Sequence, residues 1–231
     1  MKIFKLKTIS KFDEKNLNLT IGNFDGIHLG HQSVIKQLIN ISKKNNYKSA
    51  ILSFNPHPRE FFSKSKDPFN IITPSFKKYL FNNLGLDLYI DFLFDKKLSS
   101  LDPNAFIKEI LIKKLSVKNL IIGSDFKFGK DRIGDLFLLK ESAKKLKFNV
   151  TVIEQILNSE TKKKFSSSTI REDIKNGTFE NVTKALGRHW HMNGQVVEGD
   201  KRARKINFPT ANVEPGNHIL PLKGVYCVNV K

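Results

Sequence analysis

The stretch Leu17-Asn18-Leu19-Thr20-Ile21-Gly22-Asn23-Phe24-Asp25-Gly26-Ile27-His28-Leu29-Gly30-His31 decides the fold. Leu17–Ile21 reads as a strand, and the glycine-punctuated segment after it cannot continue it. From His31 to Ser42, Val34, Ile35, Leu38 and Ile39 fall at helical spacing. A strand therefore enters a tight turn and leaves as a helix. Gly22, Gly26 and Gly30 remove side chains where backbone must approach a ligand. A helix start offers free N–H groups and the positive end of the helix dipole, which suits a phosphate. His28 and His31, three apart, share one face there and can donate hydrogen bonds to phosphate oxygens. Two other readings stay open at this point. The histidines can be a metal pair, although the motif has no Glu and no third ligand nearby. They can also be plain surface residues at a helix start.

Outward from that stretch the same alternation repeats. Ser49–Phe54 reads as a strand closed by Asn55-Pro56-His57-Pro58, Pro74–Asn83 as a helix, and Leu86–Phe94 as a strand. A helix with Pro103 in its first turn carries Phe106, Ile107, Ile110 and Leu111 on one face. Asn119–Ile122 is the next strand, Gly134–Leu146 the next helix and Asn149–Ile153 a further strand. Strands separated by helices imply βαβ units, a parallel sheet covered on both faces and right-handed crossovers. The fold class is α/β, a Rossmann-like doubly wound parallel sheet, and such sheets bind ligands beyond the carboxyl ends of their strands. The unusual residues cluster at those ends, at 22–31, 54–62 and 123–129.

The chain has 231 residues, 40 Lys+Arg against 22 Asp+Glu, a net charge of +18 and a pI near 9.9. Such a charge invites a nucleic-acid reading. Only six of the basic residues are Arg, however (Arg59, Arg132, Arg171, Arg188, Arg202 and Arg204), and Lys is scattered along the whole chain. Recognition of phosphate and bases favours the planar guanidinium, so the lysines read as solvated faces and no nucleic-acid partner is expected. Four of the six Arg fall between 171 and 204, which carries more information than the total. A single cysteine, Cys227, excludes an intramolecular disulfide framework and any multi-cysteine metal site. No run approaches the ~20 apolar residues that span a bilayer. Met1–Lys7 alternates charge with apolar residues and has no secretory h-region. These points predict a cytoplasmic location and no membrane partner, and leave the oligomeric state open.

Further along, Ser166-Ser167-Ser168-Thr169-Ile170-Arg171 places hydroxyls at a helix start, where they cap N–H groups. Arg171, about a turn later, can reach a polyphosphate, or it can be a solvated side chain behind an ordinary cap. Phe54, Phe62, Phe126 and Phe128 lie beyond strand ends, where they serve either as core or as the wall of a pocket. His57, between two prolines, reads as structural more than catalytic. After residue 188 the pattern changes to short apolar pairs, Val196-Val197 and Val225-Tyr226-Cys227-Val228, separated by turn residues. That suggests antiparallel β structure and a change of fold class at the boundary.

Taken in order, five motifs resemble the His-x-Gly-His nucleotidyltransferases, and more closely the bacterial bifunctional riboflavin kinase/FMN adenylyltransferase family. They are Gly22–His31, Ser53–Phe62, Gly123–Gly129, Phe165–Arg171, and Gly199–Arg202 together with Phe208–Asn212. The resemblance implies an adenylyltransferase domain over 1–187 and the N-terminal part of an antiparallel riboflavin kinase β-barrel over 188–231. It implies that FMN receives AMP from ATP, giving FAD and pyrophosphate, with Mg²⁺ offsetting the negative charge of both substrates. His28, His31 and Arg171 are then catalytic. Gly22, Asn23, Phe24, Asp25, Gly30, Ser167 and Ser168 bind ATP, while Pro56, His57, Phe62, Asp125, Phe126 and Phe128 bind the flavin. In the second module Gly199, Lys201, Thr210 and Asn212 hold ATP, and Thr210 and Asn212 hold Mg²⁺. About 45 residues of that module are present, so phosphorylation of riboflavin is expected of a longer chain and not of these 231 residues.

Overall fold

A computed structural model describes residues 1–64, 67–154, 156–157, 164–199, 207 and 210–230. Six strands form one parallel sheet in the order β1-β4-β3-β2-β5-β6. They are β1 (Lys2–Leu6), β2 (Leu17–Ile21), β3 (Lys48–Asn55), β4 (Leu88–Leu93), β5 (Val117–Gly123) and β6 (Asn149–Ile153). From β2 the chain builds outward through β3 and β4 on one side and later through β5 and β6 on the other. The order therefore reverses at β2, and its carboxyl end is the crevice where such sheets take ligands.

The connecting helices follow the apolar spacing. They are α1 (Leu29–Asn45), the single turns α2 (Pro58–Phe62) and α4 (Lys96–Ser99), α3 (Pro74–Asn83), α5 (Pro103–Ala105), α6 (Leu136–Leu146), α7 (Ser167–Lys175) and α8 (Phe179–Leu186). After Ala105, α5 widens into a π-helix over Phe106–Lys114, whose last turn closes with the Leu115 N–H donating to the Ile110 carbonyl at 3.0 Å. Alternation along the strands serves two cores. Ala50, Leu52, Leu120 and Ile122 face Phe106, Ile110, Leu111 and Leu139. On the other face, Ile51 and Ile121 meet Ile35 and Leu38 of α1, Phe81 of α3, Ile174 of α7 and Leu186 of α8. Both faces of the sheet are dry, so β2 is buried along its whole length, its polar Asn18 and Thr20 included.

The doubly wound parallel architecture agrees with the sequence reading, with one strand added and one local expectation changed. Met1–Lys7 supplies a real strand, β1, hydrogen-bonded at the sheet edge to β4. Val225–Val228 forms no strand and is exposed. The second module contributes β7 (Gln195–Val197) and β8 (Asn212–Glu214), an antiparallel pair in which Val196 faces Val213.

Candidate active site

The turn after β2 presents both histidines. His28 caps α1: its Nδ1 accepts the His31 backbone N–H at 3.3 Å. That bond places the proton of neutral His28 on Nε2. The two imidazoles stack with centroids 3.6 Å apart and planes 18° apart. Gly30 leaves room for this contact, since a Cβ there would lie a tight 3.2 Å from the His28 ring. The Phe24 ring meets His31 edge-on at 5.0 Å. Burial pushes His28 down to about 4, with Arg188 adding to the shift and Asp25 opposing it. Burial, then the neighbouring His28 and Lys77, hold His31 well below the usual histidine range. Both rings are therefore neutral near pH 7. The His31 Nδ1 is buried with no protein partner, an atom fit to meet an anion's oxygen or its proton.

These rings open on a cleft of about 310 Å³ that Gly22, Phe24, Gly30, Asp125, Phe126 and Ser167 also line. The start of α7 faces the same cleft. Ser166 caps it by accepting the Thr169 N–H at 3.1 Å, and Ser167 donates its hydroxyl to the Asp25 carbonyl at 2.8 Å. Two helix N-termini thus converge on one space, both favouring negative charge. A more open hollow of about 550 Å³ lies between the β1–β2 connection and the π-helix, but it holds neither histidine nor glycine-rich turn.

Other residues singled out in the sequence sit elsewhere. Asp25 does not line the cleft; it is 3% exposed and clamps the chain from behind. Its carboxylate accepts the N–H groups of Ile71 (3.0 Å) and Ile72 (3.3 Å) and an Arg171 Nη2 donor at 2.6 Å. Arg171 is correspondingly buried, donating through Nε to the Phe69 carbonyl at 2.8 Å and lying over the Phe69 ring. In this structure the guanidinium meets a carboxylate that shares its burial. Asn23 offers its carbonyl to Lys77 Nζ at 2.8 Å, beside rather than in the cleft. Ser168 is exposed one position beyond Ser167.

The aromatic set divides as well. Asp125 and Phe126 face the cleft, Asp125 paired with Lys164 at 3.0 Å. Phe128 is buried core, stacked behind Phe126 with centroids 5.6 Å apart. Pro56, His57 and Phe62 lie beyond β3, outside this cleft. His57 caps α2 by accepting the Arg59 N–H at 3.0 Å, and burial pushes it down to about 4. Phe62 is 67% exposed in a cluster with Phe61 and Phe94. In the second module Thr210 and Asn212 are exposed, with Asn212 packed against Gly199. Lys201, with Arg202 and Arg204, lies outside the described residues.

Sequence reasoning missed Lys77, the 69–72 segment and Arg188, all near the histidines. Their partners are distant in sequence, and only the scarcity of arginine hinted at Arg188.

A parallel α/β sheet whose switch point presents paired neutral imidazoles between two helix N-termini defines a site for polyphosphate chemistry. The family model for FAD synthetase matches residues 10–169, and that for riboflavin kinase matches 186–231. The bifunctional riboflavin kinase/FMN adenylyltransferase of Buchnera aphidicola subsp. Schizaphis graminum is 38% identical over 99% of this chain and 72% of its own length. The protein of that name from Escherichia coli K12 is 33% identical over 100% of this chain and 73% of its own. A solved structure named as a macrolide-efflux protein from Streptococcus pneumoniae superposes with a TM-score of 0.83 at 25% identity, covering 97% of this chain and 73% of that one. The chain belongs to the bifunctional riboflavin kinase/FMN adenylyltransferase family.

Proposed function

We propose that this chain joins AMP from ATP to FMN. An FMN phosphate oxygen attacks the α-phosphorus, the bond to the bridging oxygen of the β-phosphate breaks, and FAD and pyrophosphate form. The observation that carries this reading is the stacked His28–His31 pair facing the capped start of α7 across one cleft. The nucleophile belongs to the substrate, so the protein supplies alignment and preorganised donors. His28 Nε2–H and the His31 ring stabilise charge on the phosphate oxygens, and Gly22 and Gly30 let those oxygens come close to backbone. Ser167 and the free N–H groups at the start of α7 hold the remaining phosphates, with Ser168 at the rim. Arg171 acts through Asp25, as a positioning residue.

The flavin ring lies along Phe126, which Phe128 supports from behind, with Asp125 as a polar contact. Pro56, His57 and Phe62, outside the cleft, are assigned to the flavin on family membership alone. Among the described residues no group of three or more His, Cys, Asp or Glu is placed to hold a metal. Mg²⁺ is assigned to the nucleotide's own oxygens, where it offsets charge. In the second module Thr210 and Asn212 offer the hard oxygens this cation takes. The domain boundary is placed at Gly187, and the location is cytoplasmic; among the described residues no helix is long and apolar enough to cross a membrane.

A panel of FMN, phosphopantetheine and nicotinamide mononucleotide, each with ATP and Mg²⁺, tests the assignment. Product from FMN alone is expected. Product from either other acceptor in preference to FMN contradicts the flavin assignment, and product from none contradicts adenylyl transfer.

A further inference from the structure

The turn that carries His28 is held from the second module. Phe24, Gly26 and Ile27 all have positive φ, at 49°, 86° and 42°. Ile27 is the telling one, because a β-branched residue rarely adopts this conformation and keeps it only where surroundings impose it. The surroundings here are side chains from outside the turn. Arg188 donates through Nη2 to the Gly26 carbonyl at 2.6 Å and through Nη1 to the Ile27 carbonyl at 3.2 Å. Gln32 adds a bond to the Ile27 carbonyl at 2.9 Å, and both Gln32 and Arg188 also donate to Leu186. Gly187, left-handed at φ 65°, ends α8 and turns the chain so that Arg188 points back into the first domain. Arg188 lies within the stretch that matches riboflavin kinase. Two residues on, Trp190 donates to the Ile71 carbonyl at 2.8 Å, on the segment that Asp25 grips from its other side.

We infer that Arg188, the first residue of the second module, is a positioning residue for adenylyl transfer. Its forked guanidinium fixes the Gly26 and Ile27 carbonyls, and so the orientation of His28 over the cleft. The Lys ammonium, a compact charge with rotatable donors on a flexible stem, lacks the rigid planar fork that fits both carbonyls at once. The inference rests on the adenylyl-transfer reading above. Asp25 favours a protonated His28, and Arg188 and Lys77 oppose charge on His28 and His31 respectively, while Asp125, Glu154 and Lys164 line the same cleft. Removing the Arg188 charge therefore lets His28 take up a proton at higher pH. A proton on Nδ1 ends its acceptance of the His31 N–H and releases the cap.

The test uses the full 231-residue chain as Arg188→Met and Arg188→Lys. FAD formation is followed across pH, and ¹⁵N shifts of the His28 ring are titrated without substrate. For Arg188→Met, kcat should fall by roughly tenfold to a hundredfold, the loss expected of a misplaced catalytic group. KM for ATP should change less, and the His28 titration and the acidic limb of the rate profile should move up together. Arg188→Lys should restore the titration but not kcat, and it decides the matter if the Met variant does not fold. A His28 titration unmoved in Arg188→Met, or full kcat in either variant, overturns the inference. Absence of FAD from the unsubstituted chain would instead overturn the underlying reading, and a His28 titration that shifts regardless would separate the two failures.

Discussion

At the residue scale, chemistry and stability are divided between two sets of side chains on one turn. His28 and His31 face the cleft as neutral donors, whereas Asp25, three residues before His28, faces inward and holds the 69–72 segment and Arg171. Keeping the imidazoles neutral suits a site that must take polyanions. An arriving phosphate supplies the opposite charge that burial withholds, so the histidines gain protons as nucleotide binds. Calorimetry of ATP binding near pH 6 in buffers of different ionisation enthalpy should show net proton uptake; equal enthalpies in all buffers would contradict it. The Asp25–Arg171 pair behaves differently because it is buried. Asp25→Asn leaves a guanidinium without its counter-charge and should cost about 3–5 kcal/mol in urea unfolding. The double variant with Arg171→Met should cost less than the two single changes added together. The histidine pair was legible in the sequence because its residues are neighbours within one motif. The Asp25–Arg171 and Gly26–Arg188 contacts, 146 and 162 residues apart, were not. No local spacing encodes which of two anions, a carboxylate or a substrate phosphate, an arginine will meet.

At the scale of elements, the site is two helix starts set against a strand end. Because His28 caps α1, acid weakens the helix and the chemistry together. Its folded pKa of about 4 lies below the unfolded value of 6.5, so the folded state binds fewer protons between these limits. Stability is unaffected above that window, declines as pH falls from about 6.5 to 4, and has then lost on the order of 3 kcal/mol from this group. His31 and His57 shift in the same direction. His28→Asn, a good cap that does not titrate, should flatten the dependence of the urea midpoint on pH across that window. The loop after β5 is set by close packing: Gly129 has φ 72°, and a Cβ there would come within 2.9 Å of the Pro103 backbone. Gly129→Ala should accordingly destabilise the protein and loosen Phe126 in the cleft, read as a lower thermal midpoint and a raised KM for FMN. The longer helices α1, α3 and α6 and the inner strands followed from apolar spacing, whereas the short α2 and α4, the amphipathic α8 and the π-helical turn were not read from it. Two further segments also departed from their pattern. In β1 charged residues share an edge strand with apolar ones, and the apolar run Val225–Val228 meets no partner strand among the described residues.

At the scale of the whole molecule, the parallel sheet carries both cores, and the second module is tied to it along one seam. Asn70 pairs its backbone with Asn217 and Ile219, Trp190 reaches Ile71, and Arg188 reaches the turn before His28. The described part of that module offers only the β7–β8 pair, with Val196 and Val213 exposed. Such a pair has little core of its own. These 231 residues should yield FAD from ATP and FMN. Separation of the flavins by chromatography would show which accumulates. The doubly wound sheet was legible because its alternation is regular over the whole first domain. The seam was not, since it rests on backbone carbonyls that no side-chain pattern reveals.

The most direct measurement is single-turnover conversion of FMN with ATP and Mg²⁺ by the unsubstituted chain and by His31→Ala. FAD and pyrophosphate should appear in equal amounts, and the variant should be slower by roughly 10²–10³, the worth of one preorganised donor in such a site. Equal rates in the two proteins would contradict the role given to the paired imidazoles.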